Sequence, residues 1–204
     1  MRIAFAAVAL AAAAATPLIA RAPQDLPGIA DPSRIPAGTY AIDPGHTQAI
    51  FTVLHFGFSD FTGQFGNPSG SITIDPRHPE DAKVDVTFDM NAIHTTVAEL
   101  DHHMKGPDFF DVAKYPTVRF VSTSVVAKGM KAKITGDLTI KGKTLPITLD
   151  AEFVGAGTNP ISKKLNFGFK ATGVVKRSAY GMTYAVPVVS DDVKLDINAA
   201  FTAE

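Results

Sequence analysis

The 204-residue chain contains no cysteine and no tryptophan, and neither sign of charge is in surplus. The missing cysteine excludes a disulfide-stapled mini-protein and removes the acceptor for an N-terminal lipid, so the fold must rest on its core and its hydrogen bonds. Together the two absences argue against an immunoglobulin-type sandwich, whose core is built on a Cys pair and a Trp. Nineteen Lys+Arg against twenty Asp+Glu give a formal charge of −1, so nothing is available to neutralise a run of phosphates, and nucleic acid is excluded as a partner. Catalytic signatures are equally scarce: no HExxH, no G-x-S-x-G elbow and no phosphate-cradling glycine loop that opens a helix.

One long apolar run exists, at residues 3–15, behind Met1 and Arg2 and ahead of Ala20-Arg21-Ala22. Thirteen residues are too few to span a bilayer, and the positive start, apolar middle and small-x-small end make a cleavable export signal. The sequence therefore predicts a signal peptide over residues 1–22, cut after Ala20 or Ala22, and delivery to the periplasm. Cleavage after Ala22 removes Arg2 and Arg21 and no acid, which leaves the mature chain slightly more acidic. Pro23, Pro27, Pro32 and Pro36 then punctuate an extended arm, residues 23–38, ahead of a single domain at 39–204.

From Tyr40 onward the hydrophobic period is two. Val84, Val86, Phe88 and Met90 alternate with Asp85, Thr87 and Asp89, as in a strand with one dry and one wet face. The beat recurs at Ala49-Phe51-Val53-His55, Ile72-Ile74, Val118-Phe120, Leu138-Ile140, Ile147-Leu149-Ala151-Phe153, Phe167-Phe169-Ala171-Gly173-Val175 and Val193-Leu195-Ile197-Ala199, predicting eight or nine strands. Lys141-Gly142-Lys143, Lys128-Gly129 and the 155–160 stretch are the expected turns, and every link is antiparallel because no helical crossover intervenes. One segment breaks the beat: Thr96-Val97-Ala98-Glu99 has capping-box spacing, Val97, Leu100 and Met104 share a helical face, and Gly106-Pro107 ends the run. Asp108-Phe109-Phe110-Asp111 adds one further turn. A meandering sheet of this kind closes as a barrel or as a sandwich, and eight strands with one apolar face each favour the barrel.

Spaced matches then accumulate along the chain. Tyr40-x-Ile42-Asp43-x-x-His46-Thr47, Phe51-x-Val53-x-His55, Gly63-x-Phe65, Ile93-x-Thr95, Asp101-His102-His103-Met104-Lys105-x-x-Asp108-Phe109-Phe110-Asp111, Tyr115-Pro116-x-Val118-x-Phe120, Gly136-Asp137-Leu138-Thr139-Ile140-x-Gly142 and Arg177-x-x-Tyr180-Gly181-Met182 closely resemble the YceI-like family of bacterial periplasmic lipid-binding proteins. The resemblance runs from Tyr40 to about Phe201. It implies an all-β fold, an extended eight-stranded antiparallel lipocalin-like barrel with one short helix near its opening, enclosing a long apolar cavity. It also implies a polyisoprenoid or quinone-like lipid as ligand, no catalysis, no other cofactor, and homodimers in some members. Thr47 stands where the family often has Ser, Phe61 where a smaller apolar residue is common and Met104 where Leu is usual. The last two would reshape a cavity wall.

The expected partners are thus a long-chain isoprenoid or fatty lipid, with transient membrane contact and a homodimer as further expectations. Candidate ligand-binding residues on the inward beat are Phe51, Val53, Phe65, Ile72, Val86, Phe88, Leu100, Met104, Phe109, Phe120, Leu138, Ile140, Phe153, Phe169 and Val175, each of which is equally a candidate for ordinary core packing. His55, His103 and Arg177 are the polar candidates, placed to receive a head group at a mouth. The competing role for Arg177 is pairing with Asp191 or Asp192, and for His55 a bond to a backbone carbonyl. A second function class is a metal-binding or metal-dependent hydrolytic protein that gathers His46, His55, His102 and His103 with Asp101 and Glu99.

Overall fold

A computed structural model describes residues 26–204, so the expected export signal at residues 1–22 and the first residues of the arm lie outside the described residues. Eleven strands and one α-helix follow in chain order: β1 (Gly38–Ile42), β2 (Gln48–His55), β3 (Ser59–Phe65), β4 (Pro68–Ile74), β5 (Lys83–Asp89), β6 (Ile93–His94), α1 (Ala98–Lys105), β7 (Thr117–Lys128), β8 (Lys131–Ile140), β9 (Lys143–Thr158), β10 (Leu165–Lys176) and β11 (Asp192–Thr202). All pairings are antiparallel.

Eight strands close a barrel in the order β1-β4-β5-β7-β8-β9-β10-β11, with β11 returning to β1 through Ala41↔Thr202 and Ile42↔Phe201. Closure leaves no long free edge, which a sheet of this length would otherwise expose to further pairing. The count exceeds the expected eight or nine because the wall divides at one place. Residues 43–47 step away from β1, held on Ala200: the Asp43 N–H and the Thr47 hydroxyl both donate to its carbonyl, and its N–H donates to Thr47 Oγ1. The chain then rejoins β11 further along as β2, with Asn198↔Gln48 to Lys194↔Thr52 in register. There the hairpin β2–β3, the short β6 and α1 complete the wall.

Two local expectations need correction. Thr96 does not cap α1. The N-cap is Val97, and the start is fixed from further back, by Asp101 Oδ1 accepting from both the N–H and the hydroxyl of Thr95, each at 2.6 Å. Those bonds, the Thr95 hydroxyl first, hold the Asp101 carboxyl below the usual carboxylate range. The expected turn at 155–160 begins later, since β9 continues to Thr158. Gly155 and Gly157 are strand residues whose missing side chains admit the arm: Ile29 pairs with Ala156, and a Cβ on Gly157 would collide with the Pro27 carbonyl. The Lys141-Gly142 hairpin is as expected, with φ of 52° and 74°.

The interior divides lengthwise. At the end nearest the arm, Ile35, Tyr40, Ile42, Ile72, Val86, Phe153, Ala156, Phe167 and Phe201 pack together and fill the barrel. The other half holds a second apolar group around Phe51, Met104, Leu138, Ile147 and Val175. That half is hollow.

Candidate functional site: an apolar cavity at one end of the barrel

Inward-facing residues of β2, β5, β7, β8, β9, β10 and β11 surround a cavity of about 490 Å³, within the ordinary range for a small-molecule site. Its lining is almost wholly aliphatic and aromatic. Polar side chains enter only near the opening, which lies between α1, the 106–112 turn, the β2–β3 hairpin and the 181–191 loop.

Fourteen of the expected residues meet on this wall: Phe51, Val53 and His55 from β2, Phe65 from β3, Phe88 from β5, Leu100, His103 and Met104 from α1, Phe109 after it, Phe120 from β7, Leu138 and Ile140 from β8, and Val175 and Arg177 at the end of β10. Four do not. Ile72, Val86, Phe153 and Phe169 point inward at the filled end, where Phe153 and Phe169 stack edge to face at 5.4 Å and shut the barrel. Period two reports which face a side chain takes, not its height along the barrel axis.

Further wall residues lie beyond those expected from the sequence. Ile147, Leu149, Val193, Leu195 and Ile197 carry the same alternation as the residues chosen, so their signal was available. Phe61, foreseen only as a wall-shaping departure from the family, is also on the lining. Tyr184, Ala185 and Val189 come from a loop without period and gave none, and Met182 was marked only as the last residue of the Arg177-x-x-Tyr180-Gly181-Met182 match.

The polar groups at the opening are largely engaged with the protein itself. Arg177 is 5% exposed, and its Nε donates to the Ser190 carbonyl at 2.9 Å, Nη1 to Met182 at 3.0 Å and Tyr184 at 2.7 Å, and Nη2 to Val189 at 2.9 Å. Burial lowers its pKa from the usual arginine value. It makes no ion pair with Asp191 or Asp192, the competing role that the sequence offered. Asp191 instead accepts from the N–H and hydroxyl of Ser178, which hold its carboxyl below the ordinary range. Asp192 pairs with Lys176 at 2.6 Å. His103 Nε2 lies 2.9 Å from Asp108 Oδ2, and its ring meets Phe109 and Tyr184 edge to face at 5.0 and 4.9 Å. His55, at the end of β2, lies exposed against Phe56.

The alternative metal cluster is not assembled. His46 bonds Asp43 at 2.7 Å at the filled end, His102 is exposed on α1, and among the described residues no three His, Cys, Asp or Glu side chains converge on one point.

Comparison with known proteins gives the same family as the residue pattern. The model of the YceI-like domain matches residues 40–201. Protein YceI of Salmonella arizonae is 37% identical over 164 residues, covering 79% of this chain and 85% of that protein. Among solved structures, Burkholderia cenocepacia BcnA superposes with a TM-score of 0.70 at 23% identity, over 78% of this chain and 98% of that one. A domain from Saccharophagus degradans described as polyisoprenoid binding superposes with a TM-score of 0.58 at 14% identity, over 81% and 98% of the two chains. Both share this barrel.

Proposed function

The chain belongs to the YceI-like domain family, and from that premise we propose that it is an exported, non-enzymatic carrier that holds a long isoprenoid or similar single-chain lipid. The observation that carries the reading is the cavity itself, roomy, apolar along its length and closed at the far end by packed aromatics. The polyisoprenoid-binding description of the Saccharophagus degradans domain supports the same class of ligand.

The physics suits a chain more than a polar molecule. Each methylene withdrawn from water contributes about 0.8 kcal/mol, so ten carbons supply roughly 8 kcal/mol against an association cost of about 4–15 kcal/mol. Short tails are therefore scarcely retained, and several isoprene units bind without any charged contact. In this reading the head group sits at the rim, beside His103, Tyr184 and His55, a position supported by the commitment of four of the five N–H donors of Arg177 to the protein itself. The export signal at residues 1–22 would place the carrier in the periplasm, where it would ferry its lipid through water.

Native mass spectrometry of the protein purified from its own host tests this. The wild-type chain should arrive with a lipid adduct, and Phe88→Arg, which puts a charge into the apolar wall, should arrive folded by circular dichroism and empty. A wild-type chain that carries no lipid and takes up no fluorescent polyprenyl probe would overturn the reading, and a bound zinc ion would favour the metal alternative.

A further inference from the structure

The cavity opening and the outer surface meet at one largely apolar corner. The tip of the β2–β3 hairpin is fastened to the 184–190 loop: the Phe56 N–H donates to the Val188 carbonyl at 2.8 Å, the Ser190 N–H to the Leu54 carbonyl at 3.0 Å, and the Leu54 N–H to Ser190 Oγ at 3.0 Å. His55 and Val189 pair as an isolated bridge between the same segments. This joint leaves Phe58 89% exposed, with Leu54, Phe56, Tyr184 and Val188 each close to half exposed beside it.

Local chemistry does not ask for aromatics there. The loop turns through φ of 51° at Phe56 and 72° at Gly57, a conformation in which Asn, Asp or Gly is the ordinary choice and a bulky side chain is strained. Phe58 touches no part of the core, so its exposure stabilises nothing in the folded chain. Segments 54–59 and 178–190 contain no Asp, Glu, Lys or Arg, and the exposed carboxylate of Asp60, in register with Leu54, borders the patch at the base of the hairpin tip. Phe56 and Tyr184 also line the cavity, so the patch is continuous with the lumen.

We propose that the hairpin tip and the 184–190 loop form a bilayer-docking surface. Phe58, Leu54 and Val188 enter the interfacial layer of a membrane and seat the cavity mouth against it. The inference deepens the carrier reading and rests on it. A chain that leaves a bilayer through bulk water exposes every methylene at about 0.8 kcal/mol each, whereas an apolar rim seated in the membrane removes that exposure. An aromatic tip with no basic residue and a single carboxylate at its border fits a neutral lipid interface, where apolar bodies insert without a counter-charge.

The chain has no tryptophan, so Phe58→Trp introduces a single emission reporter. With phosphatidylcholine vesicles its emission should shift to the blue and be quenched by brominated acyl chains, and the shift should persist in high salt because insertion rests on apolar contact rather than on ionic attraction. Phe58→Ser, which alters no lining residue, should keep the affinity of the cavity for a fluorescent polyprenyl probe while slowing transfer to acceptor vesicles about tenfold. Indole emission of the Phe58→Trp variant that vesicles leave unchanged would overturn the proposal. A blue shift that instead follows protein concentration without vesicles would also overturn it, in favour of a second copy on this face. Retained lipid with a water-exposed reporter removes the docking surface alone, and membrane insertion of a chain that never holds lipid removes the carrier reading alone.

Discussion

Arg177 organises the opening by hydrogen bonding rather than by charge pairing. Its guanidinium collects the carbonyls of Met182, Tyr184, Val189 and Ser190, all from one loop that has no regular structure to satisfy them. Planar, divergent N–H groups suit such a set, while the three donors of a lysine lack the fork. Arg177→Met should therefore destabilise the protein by at least about 3 kcal/mol in urea unfolding, from stranded buried carbonyls. Arg177→Lys should recover only part of it. If the residue acts through the loop, lipids with phosphate and with neutral head groups should lose affinity alike in displacement titrations; a loss confined to phosphates would assign Arg177 to the head group. The place of Arg177 just past the end of β10, continuing that strand's inward beat, was legible in the sequence. Its four partners were not, because a loop without period offers nothing to place them.

At the scale of elements, the question is why strands bearing so many phenylalanines enclose a space instead of filling it. Part of the answer is a pairing of rings with glycines on the neighbouring strand. Phe51 on β2 stands in register with Gly63 on β3 and its ring lies over that glycine; Phe120 on β7 lies over Gly136 on β8, where a Cβ would come within 2.5 Å of the ring and of the Val121 carbonyl. Leu149 on β9 lies against Gly173 on β10 in the same way. Rings laid against bare backbone leave the axis open. The nearest atoms a methyl at Gly63 would meet belong to side chains, the Phe51 ring and Thr95 Cγ2, so Gly63→Ala should fold and push Phe51 toward the lumen. The expected outcome is a several-fold weaker affinity for long isoprenoid probes with a near-native unfolding midpoint. Unchanged affinity would mean that the ring finds room elsewhere. Gly63, Gly136 and Gly173 all stand in the sequence within alternating runs, where a glycine signals close approach; which ring approaches depends on register, set by pairings far apart in the chain. The helix shows the same limit. Its place and length follow from Leu100, Met104 and Gly106, but the carboxylate that fixes its start, Asp101 on Thr95, lies outside the capping-box spacing.

Taken whole, the molecule is one barrel with two interiors. Alternation along the strands gave an antiparallel sheet and the inward face of each strand and favoured a barrel over a sandwich, and the family pattern gave the hollow. Neither distinguished Phe169 from Phe51, because both sit on the inward beat and differ only in height. What sets the height is the arm. Ile35 inserts under the far end, Arg34 bonds the Ala156 carbonyl at 3.3 Å, and Phe167 gathers Tyr40 edge to face at 4.9 Å and Phe201 stacked at 5.6 Å. Both halves bury apolar side chains, but only the filled half packs them across the axis, so the hollow half can leave apolar wall uncovered for a guest. This separation is measurable. Phe167→Ala removes a ring that is 3% exposed and outside the cavity lining, and should cost about 3–5 kcal/mol in chemical unfolding. Its affinity for an isoprenoid probe, measured at a temperature where the variant is still fully folded, should match the wild type. A matching loss in both quantities would show instead that the two halves form a single cooperative core, with the lumen sustained by the packing beneath it.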